Sequence, residues 1–87
     1  MLDELLGELI VIDLSSPYVC LGKLTRMDEH YLELKNADLH DLRDTLTSRE
    51  NYVAASAATG IKRNRKRILI RRTEIVAVSS FQDVVDE

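Results

Sequence analysis

Most apolar residues in this chain come in short runs rich in β-branched side chains, with polar residues between them. Runs of this length are too short for helices and read as strands. The most telling pair lies near the C-terminus: Ile68-Leu69-Ile70 and Ile75-Val76-Ala77-Val78, separated by Arg71-Arg72-Thr73-Glu74. Successive strand side chains point to opposite faces, so these runs are apolar on both faces and need cover on both. A chain of 87 residues buries about 60–65% of its surface on folding, which leaves little of its own to lay over a second face. A second copy of the chain is one source of that cover.

The remaining pattern fills in the order. Leu2, Leu5 and Leu6 share a helical face over one or two turns, with acids early and Gly7 placed to end the turn in a left-handed conformation. Glu8 to Leu14 is the first strand, again apolar on both faces over Leu9 to Ile12, and Ser15-Ser16-Pro17 is the turn after it. Tyr18 to Met27 is a long second strand whose interior Gly22 marks a bend, a bulge or a close backbone approach. Asp28-Glu29-His30 forms the next turn. In the third strand, from Tyr31 to Lys35, Leu32 and Leu34 alternate with Glu33 and Lys35, which predicts Glu33 and Lys35 on a wet face.

Thr47-Ser48-Arg49-Glu50 fits a capping box with Thr47 as the cap, followed by an alanine-rich helix from Arg49 to Ala58 that Gly60 ends. Its apolar stripe of Tyr52, Val53 and Ser56 is thin, so weak docking, or docking on a neighbour, is expected. Ile61 to Arg67 reads as a basic hairpin or loop, and Phe81 to Val85 as a closing turn of helix behind Ser80. Five strands, one bent by an interior glycine, with an inserted arm over residues 45–60, make a mainly β domain spanning 1–87: a small, strongly bent barrel with a short N-terminal helix.

Composition narrows the class. With 45% hydrophobic and 31% charged residues the chain is globular and not disordered. The longest apolar stretch is far too short for a bilayer-spanning helix, so no membrane partner and a cytoplasmic location are expected. One cysteine, Cys20, excludes an internal disulfide and a cysteine metal cluster; it reads as a small buried hydrophobe. Asp38, His40 and Asp41 can be read as metal ligands, but three polar residues in a loop are usually just a loop; no nucleophile–base pair stands out, and neither an enzyme nor a cofactor is expected. The net charge of −3 hides an asymmetry: residues 1–60 carry five basic and eleven acidic residues, residues 61–72 carry seven basic and no acidic ones. A mildly acidic chain can still hold a polyanion through a focused patch, which symmetric assembly would multiply. The alternative is a solvated basic loop.

Two stretches carry a resemblance. Gly22-Lys23-Leu24 followed by Met27-Asp28-Glu29-His30-Tyr31-Leu32-Glu33-Leu34 resembles the first motif of the Sm and Sm-like (LSm) family of RNA-binding ring proteins. Ile68-Leu69-Ile70-Arg71-Arg72-Thr73-Glu74-Ile75-Val76-Ala77-Val78 resembles the second more closely. Together with the N-terminal turn ending in Leu5-Leu6-Gly7, the likeness covers residues 2–38 and 66–80. It implies a bent five-stranded Sm-like (SH3-like) barrel whose last two strands pair across subunits in a homo-hexameric or heptameric ring, with Ile68, Leu69, Ile70, Ile75, Val76 and Val78 at the subunit interface. It also implies non-enzymatic binding of single-stranded, uridine-rich RNA at the lumen.

Carried over by position, Arg71 matches the family arginine, Asp28 the acid that fixes the pocket, and His30 or Tyr31 the residue that stacks on the base. Arg72 adds charge beside them, and Lys62, Arg63, Arg65, Lys66 and Arg67 are expected to hold phosphates from the basic loop. Two positions depart from the pattern: Leu32 stands where the family asparagine reads the base, and Arg72 where a glycine follows the arginine. They leave a second expectation open, a ring-forming scaffold or protein-interaction module of the same fold without a base pocket. A monomeric SH3-like barrel is the third.

Overall fold

The computed structural model describes residues 1–44 and 46–85. Thr45, at the start of the expected arm, and Asp86 and Glu87, at the end of the expected domain, lie outside the described residues. Strands β1 (Leu9–Leu14), β2 (Tyr18–Met27) and β3 (Tyr31–Asp41) form a meander. Helix α1 (Arg49–Thr59) interrupts it before β4 (Arg65–Arg71) and β5 (Ile75–Ser80). All pairings are antiparallel, and the order across the sheet is β4-β3-β2-β1-β5. The two C-terminal strands, neighbours in sequence, are therefore the two margins of the sheet, joined by a 3-10 corner at Arg72–Glu74. Ile68 and Ile70 from one margin and Ile75 and Val78 from the other pack on the same core of Ile10, Ile12, Leu24, Leu32 and Leu34. The sheet is bent around that core.

Gly22 makes the bend possible. The β2–β3 register shifts across it, between Leu21 and Lys23, and again between Leu24 and Arg26, and a Cβ there would sit 3.0 Å from the Ala37 Cβ, tighter than packed carbons allow. Gly7, at φ 85°, ends the N-terminal turn as expected, although Leu2–Leu5 is a 3-10 turn and not α-helix. The Gly7 amide then donates to the Leu24 carbonyl at 2.7 Å, which ties the turn to β2.

Several expectations need correcting. The cap of α1 is Ser48, whose hydroxyl accepts from the Asn51 N–H; Thr47 lies one residue too early to reach it. The polar stretch from Asn36, which could either continue the third strand or break it, does continue it: β3 runs to Asp41, paired with β2 from Tyr18 to Leu21. Arg65, Lys66 and Arg67 belong to β4 and not to a loop, since Arg65 already faces Ala37 across the ladder.

The helix docks on its own sheet. Val53 joins Val11, Val19 and Leu21 in a second core on the outer face, flanked by Leu42, Tyr52, Ile61, Phe81 and Val84. The phenol of Tyr52 donates to the buried carboxylate of Asp38 and its ring stacks on His40, 4.0 Å between centroids. Arg49 adds an ion pair with Asp13 at 3.6 Å. Burial and the neighbouring Asp38 push the Tyr52 phenol above its ordinary pKa, so the phenol keeps the proton it donates. Behind Ser80, whose hydroxyl accepts from the Gln82 N–H, the tail forms the expected short turn over Phe81–Asp83.

Candidate nucleic-acid interface

The candidate residues separate into two groups at opposite ends of β4. At one end the β2–β3 turn is held by Asp28, whose Oδ1 accepts from the His30 N–H at 2.8 Å and the Tyr31 N–H at 2.7 Å. Those two backbone donors hold its carboxyl below the usual carboxylate range. Asp28 therefore shapes the turn, and its charge is already satisfied by the backbone. The Arg72 N–H donates to the His30 carbonyl at 2.8 Å, and Tyr31 lies opposite Arg71 in the β3–β4 ladder.

These ties bring Glu29, His30, Tyr31, Arg71, Arg72 and Thr73 around one shallow cleft of about 290 Å³. His30 Nε2 lies 3.2 Å from Glu29 Oε1, with both side chains exposed. Tyr31 is 36% exposed, enough to offer part of its ring. Arg71 is exposed, and its guanidinium has no hydrogen-bond or ion-pair partner among the described residues. The Nε of Arg72 is buried and makes no hydrogen bond. Leu32, at the place of the family asparagine, is fully buried in the core and turns no polar group toward the cleft.

The far end is built differently. Asn36 sits at φ 50°, a left-handed conformation that asparagine tolerates better than most residues. Its Oδ1 accepts from Arg63 Nη1 at 2.8 Å. Asn64 clips the loop to β3: its N–H donates to the Ala37 carbonyl, and its carboxamide both accepts from and donates to the Leu39 backbone at 3.0 Å. Arg65 Nη1 donates to the Asn64 carbonyl at 3.1 Å. Asn36, Arg63, Asn64, Arg65 and Lys66 line a cleft of about 390 Å³ that contains three cations and no acid. Lys62 is exposed on the same loop, outside that lining.

Arg67 belongs to neither group. Its Nε donates to Glu33 Oε2 at 2.6 Å, Arg26 reaches the same oxygen at 3.3 Å, and Thr25 donates to Oε1 at 2.7 Å. Glu33, expected on a wet face, is 5% exposed because these three side chains close over it. The Thr25 hydroxyl and the Arg67 guanidinium hold its pKa down at about 2. The neighbouring cleft, of about 290 Å³, carries Arg26 and Arg67 against Asp28 and Glu33, a balance that gives a polyanion little reason to settle there.

Of the six candidate interface side chains, Ile70 is buried and Ile68, Ile75 and Val78 pack on the chain's own core. Leu69 and Val76, 47% and 69% exposed, are the two that project from the margins. Sequence reasoning missed Asn36 and Asn64 as site-shaping residues. An asparagine after a strand run and another inside a basic loop, both turn formers, were the available signals.

No protein-family model matches the sequence, and no curated protein does. Solved structures do. The chain superposes on an Sm protein from Pyrococcus abyssii, solved in complex with a uridine heptamer, with a TM-score of 0.61 over 90% of this chain and 89% of that one. The fold is that of the Sm proteins. An Sm-like protein from Archaeoglobus fulgidus gives a TM-score of 0.62 over 92% and 88% of the two chains. Identity is 18% in both cases. The likeness extends over most of both chains, and in this one α1 occupies the connection between β3 and β4.

Proposed function

We propose that this chain assembles into a homo-oligomeric ring of six or seven copies and holds single-stranded RNA by binding alone, without catalysis, in the cytoplasm. The observation that carries the reading is the cleft in which Tyr31 stands beside Arg71, a guanidinium without a partner among the described residues, at the end of an Sm fold whose two margins are unpaired. A base stacks on Tyr31 or His30, worth about 1–3 kcal/mol per base. Arg71 and Arg72 face its phosphate or its edge. Lys62, Arg63, Arg65 and Lys66 contact phosphates at the far end, whereas Arg67 is committed to Glu33. The P. abyssii protein of this fold was solved with uridine. Because Leu32 offers no carboxamide, discrimination between uridine and adenine is weak here.

Pairing of the β4 margin with the β5 margin of a neighbour would satisfy both edges and bring Leu69 and Val76 under cover. Titration of labelled oligouridine and oligoadenine at several salt concentrations tests the RNA reading. Affinity is expected to fall linearly in log–log form as phosphate contacts release counterions. Absence of salt-dependent binding to either strand overturns it.

The buried Leu32 favours the second reading, a scaffold of the same fold without a base pocket. Arg71→Ala separates the two: it spares the ring and weakens RNA binding under the first, and lowers assembly under the second. Native mass spectrometry, run with and without nuclease, reads both quantities.

A further inference from the structure

The two cationic clefts differ in a way that points to different parts of an RNA. The Tyr31–Arg71 cleft has aromatic surface for a base and includes an acid, Glu29. The cleft of Asn36, Arg63, Asn64, Arg65 and Lys66 has no aromatic ring and no acid. Three like charges gathered in one concavity repel one another, and among the described residues no carboxylate pairs with any of the three. The two arginines are nonetheless oriented, Arg63 by Asn36 and Arg65 by the Asn64 carbonyl, and each of these bonds is made through one terminal nitrogen. The remaining guanidinium N–H groups and the Lys66 ammonium are exposed donors, free to bond phosphate oxygens, and together they favour the ligand with the most concentrated negative charge. An internal phosphodiester carries a single charge. A phosphomonoester carries about −1.5 to −2 and three acceptor oxygens.

Resting on the RNA reading above, we propose that this cleft is a terminal-phosphate site, which receives the phosphomonoester at one end of a bound RNA while the bases occupy the other cleft. The register gives the span. Tyr31 faces Arg71 and Ala37 faces Arg65, so the two ends of β4 are about 20 Å apart at ~3.3 Å per residue. At ~3.4 Å per stacked nucleotide, about six nucleotides bridge them.

The test uses the full chain and oligouridine of about ten nucleotides, long enough for that span, in three forms: 5′-phosphorylated, 3′-phosphorylated and with hydroxyls at both ends. One phosphorylated form is expected to bind about tenfold more tightly than the hydroxyl form, the scale of charge-assisted hydrogen bonds gained. In Lys66→Gln and Arg65→Gln that ratio falls toward one. The Lys66 side chain makes no hydrogen bond or ion pair with a described residue, so its replacement is expected to leave the fold intact, and thermal melting checks both variants. Excess inorganic phosphate that erases the ratio while the hydroxyl form stays bound supports the site. Equal binding of all three forms overturns the terminal-phosphate site and leaves the RNA reading standing. No binding of any form overturns both.

Discussion

The same sequence signature meets two different fates in this molecule. Leu9 to Ile12 in β1 and the runs of β4 and β5 are all apolar on both faces. In β1 both faces are covered from within past Leu9, which is itself 47% exposed: Ile10 and Ile12 fill the inner core, and Val11 lies under α1 with Val19, Leu21 and Val53. At the margins cover exists on one face, and Leu69 and Val76 remain in water. A doubly apolar strand therefore states that cover is needed without saying who supplies it. The inserted helix supplies it for the centre of the sheet and leaves the margins bare.

The comparison is broken most forcefully from the centre. Leu21 is fully buried in the outer core, so Leu21→Ala is expected to cost about 2–5 kcal/mol in urea denaturation. A cost below 1 kcal/mol, on the order of a surface change, would mean that α1 is not a true cover. Tyr52→Phe removes the donor that satisfies the buried Asp38 and is expected to cost about 1–3 kcal/mol, with reduced amide protection across α1.

Glu33 gives a pH signature. Its pKa is depressed from 4.5 to about 2 in the fold. Its stabilising contribution is therefore complete above pH 4.5 and is lost as pH falls from there through about 2. Denaturation midpoints compared at neutral pH and near pH 3 should show a loss that is smaller in Glu33→Gln, which lacks the titrating group. The smallest effect on folding comes from the margins. Leu69→Glu and Val76→Glu are each expected to change monomer stability within about 0.5 kcal/mol while lowering the native mass toward that of one chain. Loss of fold on either substitution would mean that these side chains serve the chain itself.

Much of the fold was legible because strand runs, Gly22 and the turn residues speak through local sterics, and these agree with the packing. The doubly apolar margins were legible for the same reason. What local pattern could not reach was tertiary. Glu33 alternates with Leu32 and Leu34 exactly as a solvent-facing residue would, and only Arg26, Arg67 and Thr25, brought from other strands, bury it. Thr47 and Ser48 are equally able caps, and one residue of phase decided for Ser48. In the candidate site Tyr31, Arg71 and Arg72 came from motif positions and do meet in a cleft. The division of the basic stretch into two ends and a neutralised middle depends on β4 beginning at Arg65, which a run of polar residues does not advertise.

The corner between β4 and β5 has a mechanical meaning. Its first residue is tied through its amide to the His30 carbonyl, and its last, Glu74, accepts from the Ser15 amide through its carbonyl and from the Ser15 hydroxyl through its carboxylate. Three separate chain reversals are thereby buckled together at one pole of the molecule. Lengthening this buckle by a single residue would slacken all three at once, and with them the pole that presents Tyr31 and Arg71.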